Sequence, residues 1–217
     1  MFRNERELAR SIATNIRQDP YLSIKDILSE NDISKSEFEE ILAKYFDVQA
    51  PRFIAKPDII IVAEDPKKII DEWFLITIEL KYFKNVKETE KFERDLRKAF
   101  REIGQPLRYY LYGFDSSILW HIFEEEADPE TIKPYSDLLE EVIKKLNLPI
   151  LFFATKIIEN NNFLVFKPLE IKSPNNLKHI TRWMLNCCRD KIRNPLLPFD
   201  EDIIERRRAI KIVLKIP

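Results

Sequence analysis

Apolar residues recur at four-residue spacing from Leu8 through Ile12 to Ile16, which predicts a helix over residues 4–17. Asp19-Pro20 ends that pattern. Ser23 is placed to cap a second helix running through Leu28. Ser34 to Glu37 has the S-x-x-E form of a capping box, and Phe38, Ile41, Leu42, Tyr45 and Phe46 follow as an apolar stripe. The segment 23–46 therefore reads as a small helical hairpin, with a helix-turn-helix as the less favoured alternative. The texture changes at residue 48. Residues 48–54 suit a short strand that Pro51 confines to an edge. The runs 57–63 and 73–81 have the length and β-branched content of buried strands. Only the charged connector Glu64–Glu72 separates them, so an antiparallel hairpin is the economical pairing.

From Val86 to Ile103 the pattern is helical again, until Gly104-Gln105-Pro106 interrupts it. A strand is expected at 116–123 and a helix at 135–146. Two apolar runs, 149–158 and 163–171, are joined by a turn of three asparagines, Asn160 to Asn162. A helix over 175–189 and a mixed tail close the chain. The fold class is mixed α/β, a central mixed sheet flanked by helices. Residues 1–34 are expected to be an N-terminal helical extension, 35–123 the core, and 124–217 a C-terminal α+β extension packed as part of one domain.

Composition narrows the options. The chain has 217 residues, enough for one core domain, and 45% of them are hydrophobic. A formal net charge of -1 means that any basic surface must come from local arrangement. The two cysteines, Cys187 and Cys188, are adjacent and have no metal-ligand spacing, which points to reduced thiols and an intracellular, cytoplasmic protein. No signal peptide and no membrane-spanning run is visible. With only Gly104 and Gly113, glycine-rich phosphate loops are excluded.

The charges on the two buried strands carry the chemistry. Asp58 opens the first strand, while Glu79 and Lys81 close the second. Side chains alternate along a strand, so residues 79 and 81 share one face. In an antiparallel hairpin centred near residue 68, Asp58 lies beside them. Two carboxylates that close repel unless a cation is shared, and carboxylate oxygens are preferred ligands of Mg²⁺. A lysine on the same face can orient water or hold a phosphate oxygen. Standing alone, E-x-K and Pro-Asp are ordinary in a chain that is 34% charged, where strands end at water; their juxtaposition is what gives them weight. The helix that follows places Lys91, Arg94, Lys98 and Arg101 on one face, with Phe92, Leu96, Ala99 and Ile103 on another. That basic stripe suits phosphate contact, although a solvated amphipathic helix carrying Glu93, Asp95 and Glu102 has a similar pattern. His121 alternates within its strand and reads as a structural residue.

Pro57-Asp58, followed after about twenty residues by Ile78-Glu79-Leu80-Lys81, resembles the PD-(D/E)XK nuclease superfamily. The resemblance covers about residues 35–123 and implies a restriction-endonuclease-like core of order α-β-β-β-α-β. It implies that Asp58, Glu79 and the backbone carbonyl of Leu80 bind Mg²⁺ or Mn²⁺, and that Lys81 is catalytic. Gln105 and Tyr109 have the Q-x-x-x-Y spacing of RecB-like members. The surrounding AFREIGQPLRYYLYG is similar to the nuclease region of type I restriction subunits. There Gln105 would support the site and Tyr109 would approach DNA. The family's further acidic residue is Glu5 or Glu39; the sequence around Glu5 is similar to the start of archaeal Holliday-junction resolvases. The expected function is a metal-dependent deoxyribonuclease, an endonuclease of resolvase-like or restriction type acting on double-stranded or branched DNA. The rival is an inactive DNA-binding or assembly protein on the same fold. The C-terminal half, with Trp183 and Met184, is a candidate homodimer interface or else ordinary core.

Overall fold

Isoleucine-rich runs that can bury both faces need covering layers on both sides, and the chain supplies them. The computed structural model describes residues 2–20, 22, 24–29, 32, 34–46, 54–65, 67–84, 89–191 and 193–216. Helix α1 (Glu5–Arg17) is capped by Asn4, whose side chain accepts the Glu7 N–H, and it buries Leu8, Ile12 and Ile16. Strand β1 (Ile24–Ser29) and helix α2 (Lys35–Phe46) follow, then β2 (Ile59–Glu64) and β3 (Trp73–Phe83). Helices α3 (Thr89–Arg101) and α4 (Gly104–Leu111) lead to β4 (Ser116–Phe123), α5 (Pro129–Lys145) and β5 (Leu151–Ile158). A short 3-10 turn, β6 (Asn162–Lys167), β7 (Ile171–Asn175), α6 (Leu177–Lys191) and α7 (Glu201–Val213) complete the chain.

The seven strands form one mixed sheet in the order β1 to β7. The β2–β3 hairpin is antiparallel, as expected, and sets Ile59 opposite Ile78. β4 and β5 run parallel to β3, and the β5–β6 and β6–β7 pairs are antiparallel. One face packs under α1 and α6 through Ile61, Ile76, Trp120 and Phe153. On the other face, α2, α4 and α7 cover Ile60, Val62 and Leu75, while α3 and α5 cover Leu119, Phe123 and Phe152. Between β5 and β6, Asn160 and Asn161 adopt positive φ of 59° and 55°, the left-handed conformation that asparagine tolerates.

Several expectations change. The segment expected as a helix through Leu28 is β1, antiparallel to β2 with Ile27 opposite Ile61. Ile24 and Leu28 imitate helical spacing, but Ile27 is the fully buried residue, and pairing satisfies the outer backbone edge of β2. Ser23 and residues 48–53 lie outside the described residues, and Ile54 is buried without being in a strand. Within the segment expected as an N-terminal helical extension, α1 packs against the sheet and β1 is its first edge strand. Residues 124–217 likewise contribute β5, β6 and β7 to that sheet. Helix α6 buries Met184 in the core and sets partly buried Trp183 edge-on against Phe153.

The tail holds a helix that locks the hairpin. Arg207 of α7 is fully buried and pairs with Asp115 at 2.7 Å and Asp71 at 3.1 Å, and it also donates to the carbonyls of Gly113 and Trp73. The backbone of α7 comes so close to Gly113 (φ 90°) that an added Cβ would lie 2.6 Å from Arg207 Cβ. Gly113→Ala combines that overlap with a strained φ and is expected to cost about 2–4 kcal/mol in urea unfolding. A variant as stable as wild type would show that α7 does not seat on this glycine.

Candidate functional site

The site arises where one strand outruns its neighbour. β2 stops pairing at Ile59, opposite Ile78, whereas β3 continues beside β4 to Phe83. Past Ile78, no strand among the described residues pairs with the β2-side edge of β3 to receive its N–H groups. Asp58, the residue just before β2, accepts the Leu80 N–H at 2.7 Å. Glu5, in the first turn of α1, accepts the Tyr82 N–H at 3.0 Å. Two carboxylates thus take the place of the missing strand and spare two N–H groups the cost of burial without a partner. By strand geometry the Leu80 carbonyl faces this same edge.

Glu79 and Lys81 project together from the face covered by α3 and α4. Lys81 Nζ lies 2.9 Å from Glu79 Oε1 and 3.4 Å from Glu102 Oε2. The Tyr109 hydroxyl donates to Glu79 Oε2. Glu79 is buried, and Lys81 is half-buried. Burial pushes the Asp58 carboxyl well above the usual range, and the nearby Glu79 and Glu5 add to the shift. Burial also raises Glu5, against the pull of Lys81. Burial opposes the charge on Lys81, yet Glu79 and Glu5 outweigh it and hold the ammonium above its ordinary value. Glu5, Asp58, Glu79 and Glu102 therefore surround a single lysine, and negative charge is in excess.

Among the described residues, no group of three or more His, Cys, Asp or Glu side chains is placed to hold a metal ion. What the edge offers is a carboxylate pair, Asp58 and Glu79, with the Leu80 carbonyl. That set suits Mg²⁺, which takes one or two protein carboxylates and retains waters. The surplus negative charge fits a cation in the same place.

The two acidic candidates lie in different places. Glu5 joins the cluster because α1 lies across the β3 end, whereas Glu39 pairs with Lys35 on its own helix at 3.5 Å. Gln105 is tied to the site through the backbone, its N–H donating to the Glu102 carbonyl at 2.9 Å; its buried Oε1 has no partner among the described residues. Tyr109 was expected at the DNA surface. It is fully buried instead, because the first turns of α4 turn it inward onto Glu79. On α3, Phe92, Leu96 and Ala99 are buried as expected, with Ile103 packed against them. Arg94, Lys98 and Arg101 are exposed and Lys91 is half-buried. Glu102 is the residue that sequence reasoning missed. At 100° per residue it falls about 20° from Lys91, an acid at the rim of the basic stripe, and that position is its signal. His121 lies beside Lys81 in the register, buried among Phe83, Phe152 and Tyr135. Burial, with Lys81 nearby, pushes it down to about 3, so it is a neutral core residue.

Comparison with family models, with characterised proteins and with solved structures finds no match to this chain. Among the described residues, no helix is long and apolar enough to cross a membrane.

A carboxyl whose folded-state pKa is raised favours the fold while protonated and loses that benefit as pH rises through the raised value. Asp58→Asn keeps an acceptor for Leu80 and removes the repelling charge. Without divalent metal it is expected to raise stability at pH 7 by about 1 kcal/mol. That gain should disappear below the ordinary carboxylate range, where Asp58 is protonated in the folded and unfolded chain alike. Thermal melts across pH 3–8 measure it (~1 kcal/mol being the scale to resolve).

Proposed function

We propose that this protein is a metal-dependent deoxyribonuclease with Asp58, Glu79 and Lys81 at its centre and a restriction-endonuclease-like core around them. One observation carries the proposal: Asp58, Glu79, Glu5 and Lys81 come from three separate segments and meet at the end of β3 that runs past its last β2 partner, Ile78. The element order also supports it. With α2 set aside as an insertion between β1 and β2, the chain runs α1-β1-β2-β3, then helices, then β4, with two antiparallel pairings before the parallel one.

Asp58, Glu79 and the Leu80 carbonyl would hold Mg²⁺ or Mn²⁺. The ion supplies Lewis acidity at the phosphodiester and a bound water of lowered pKa. Lys81, kept charged by its carboxylate neighbours, directs its ammonium at a phosphate oxygen or at the attacking water. Glu5 fixes the far end of the strand edge that carries Leu80. Arg94, Lys98 and Arg101 offer charge to the phosphates of a duplex lying along α3, with Lys91 half-buried beside them.

Plasmid, four-way-junction and single-stranded DNA incubated with Mg²⁺ or Mn²⁺ test the proposal. Cleavage is expected, and Asp58→Ala, Glu79→Ala and Lys81→Ala are each expected to lower it about 10²-fold or more. Activity that survives all three substitutions would refute the assignment. Glu5→Gln should reduce cleavage more than Glu39→Gln, because only Glu5 reaches the strand edge. Equal effects would remove Glu5 from the site.

A further inference from the structure

We infer that the two tyrosines of one short helical segment, Tyr109 and Tyr112, are the positioning residues for the two carboxylates of the proposed metal site. The inference rests on that metal reading and adds to it the element that aims the ligands.

Tyr109 lies in α4 and Tyr112 caps its end, the Tyr112 N–H bonding to the Tyr109 carbonyl at 3.1 Å. The Tyr109 hydroxyl donates to Glu79 Oε2 while Lys81 holds Oε1, so each oxygen of Glu79 has its own partner and the carboxylate plane is set from both sides. The Tyr112 hydroxyl accepts the Ala55 N–H at 3.2 Å, three residues ahead of Asp58. Between them stands Pro57, buried and with fixed φ, so anchoring Ala55 also limits where Asp58 can point.

The helix is itself held. Asn194 donates to the carbonyls of Tyr110 and Phe114, both at 2.9 Å. The Tyr109 ring lies 6.0 Å from that of Tyr112 and 6.4 Å from that of Phe114, and Tyr112 meets Phe38 of α2 edge-on at 6.2 Å. Neither hydroxyl is on a surface that a substrate can reach, since the two residues are 0% and 3% exposed. Their polar contacts are directed at the ligand-bearing segments, as outer partners of metal ligands are.

Tyr→Phe removes only the hydroxyl and keeps the ring that packs. Mn²⁺ binding to the full chain, followed by the loss of the free-ion electron paramagnetic resonance signal, reads the effect without any turnover. Tyr109→Phe is expected to weaken Mn²⁺ about tenfold or more, and Tyr112→Phe to weaken it by a smaller factor, both with the far-ultraviolet circular dichroism of the native fold. Wild-type affinity in Tyr109→Phe would overturn the role of Tyr109, and wild-type affinity in Tyr112→Phe that of Tyr112. A wild-type chain that does not bind Mn²⁺, or an Asp58→Ala chain that binds it fully, would overturn the metal reading and this inference together.

Discussion

Beyond Ile78, strand β3 has a strand partner among the described residues on its β4 side only, and the backbone groups of Leu80 and Tyr82 turn towards an edge where β2 has already ended. A buried N–H left alone costs about 1–3 kcal/mol, so the edge has to be closed by something. Here carboxylates close it, Asp58 from the approach to β2 and Glu5 from the start of α1. The arrangement ties distant parts of the chain together: α1, the approach to β2 and the crossover segment that carries Glu102 and Tyr109 all meet at residues 79–82 of β3.

The two ends of β3 deal with charge in opposite ways. Near Trp73 and Leu75, Asp71 and Asp115 face Arg207 and Lys211, two acids against two bases. Every one of those charges has a partner, and Arg207 has two backbone carbonyls besides. At the other end, Glu5, Asp58, Glu79 and Glu102 gather around Lys81, and only Glu102 among these four has a second, exposed ion-pair partner among the described residues, Lys98. Removing one partner from a matched buried cluster leaves an uncompensated charge, which is costly. An unmatched cluster already carries such a cost. Folds tend to keep that kind of cost where groups are poised for chemistry. The contrast separates a structural ion network from a candidate site within one strand.

What was legible in the sequence is what depends on local period and register. The β2–β3 hairpin, the 116–123 strand and the buried face of α3 follow from spacing, and so does the meeting of Asp58 with Glu79 and Lys81. What was not legible depends on which element lies over which. Glu5 and Glu39 both flank apolar stripes, and nothing local says that α1, rather than α2, crosses the end of β3. Ile24, Ile27 and Leu28 fit a helix or a strand equally, until the exposed edge of β2 claims them. Tyr109 is spaced as expected from Gln105, but spacing cannot tell an inward hydroxyl from an outward one. The buried role of Arg207 was out of reach, because its partners lie 92 and 136 residues away in sequence.

The remaining step concerns how a chain of net charge -1 could present itself to a polyanion. The charge that matters is local, and α3 supplies it unevenly. Lys98 stands 3.9 Å from Glu102, and its side chain is 73% exposed. An exposed pair of that kind contributes about 0–1 kcal/mol, so giving it up for a phosphate oxygen costs little. Glu102 would then be left with Lys81, its other partner at 3.4 Å. On the proposed reading, a phosphate arriving at Lys98 strengthens the hold of Glu102 on the lysine at the centre of the site. On that reading Glu102, at the rim of the basic stripe, would link the surface that meets a phosphate to the half-buried lysine of the site.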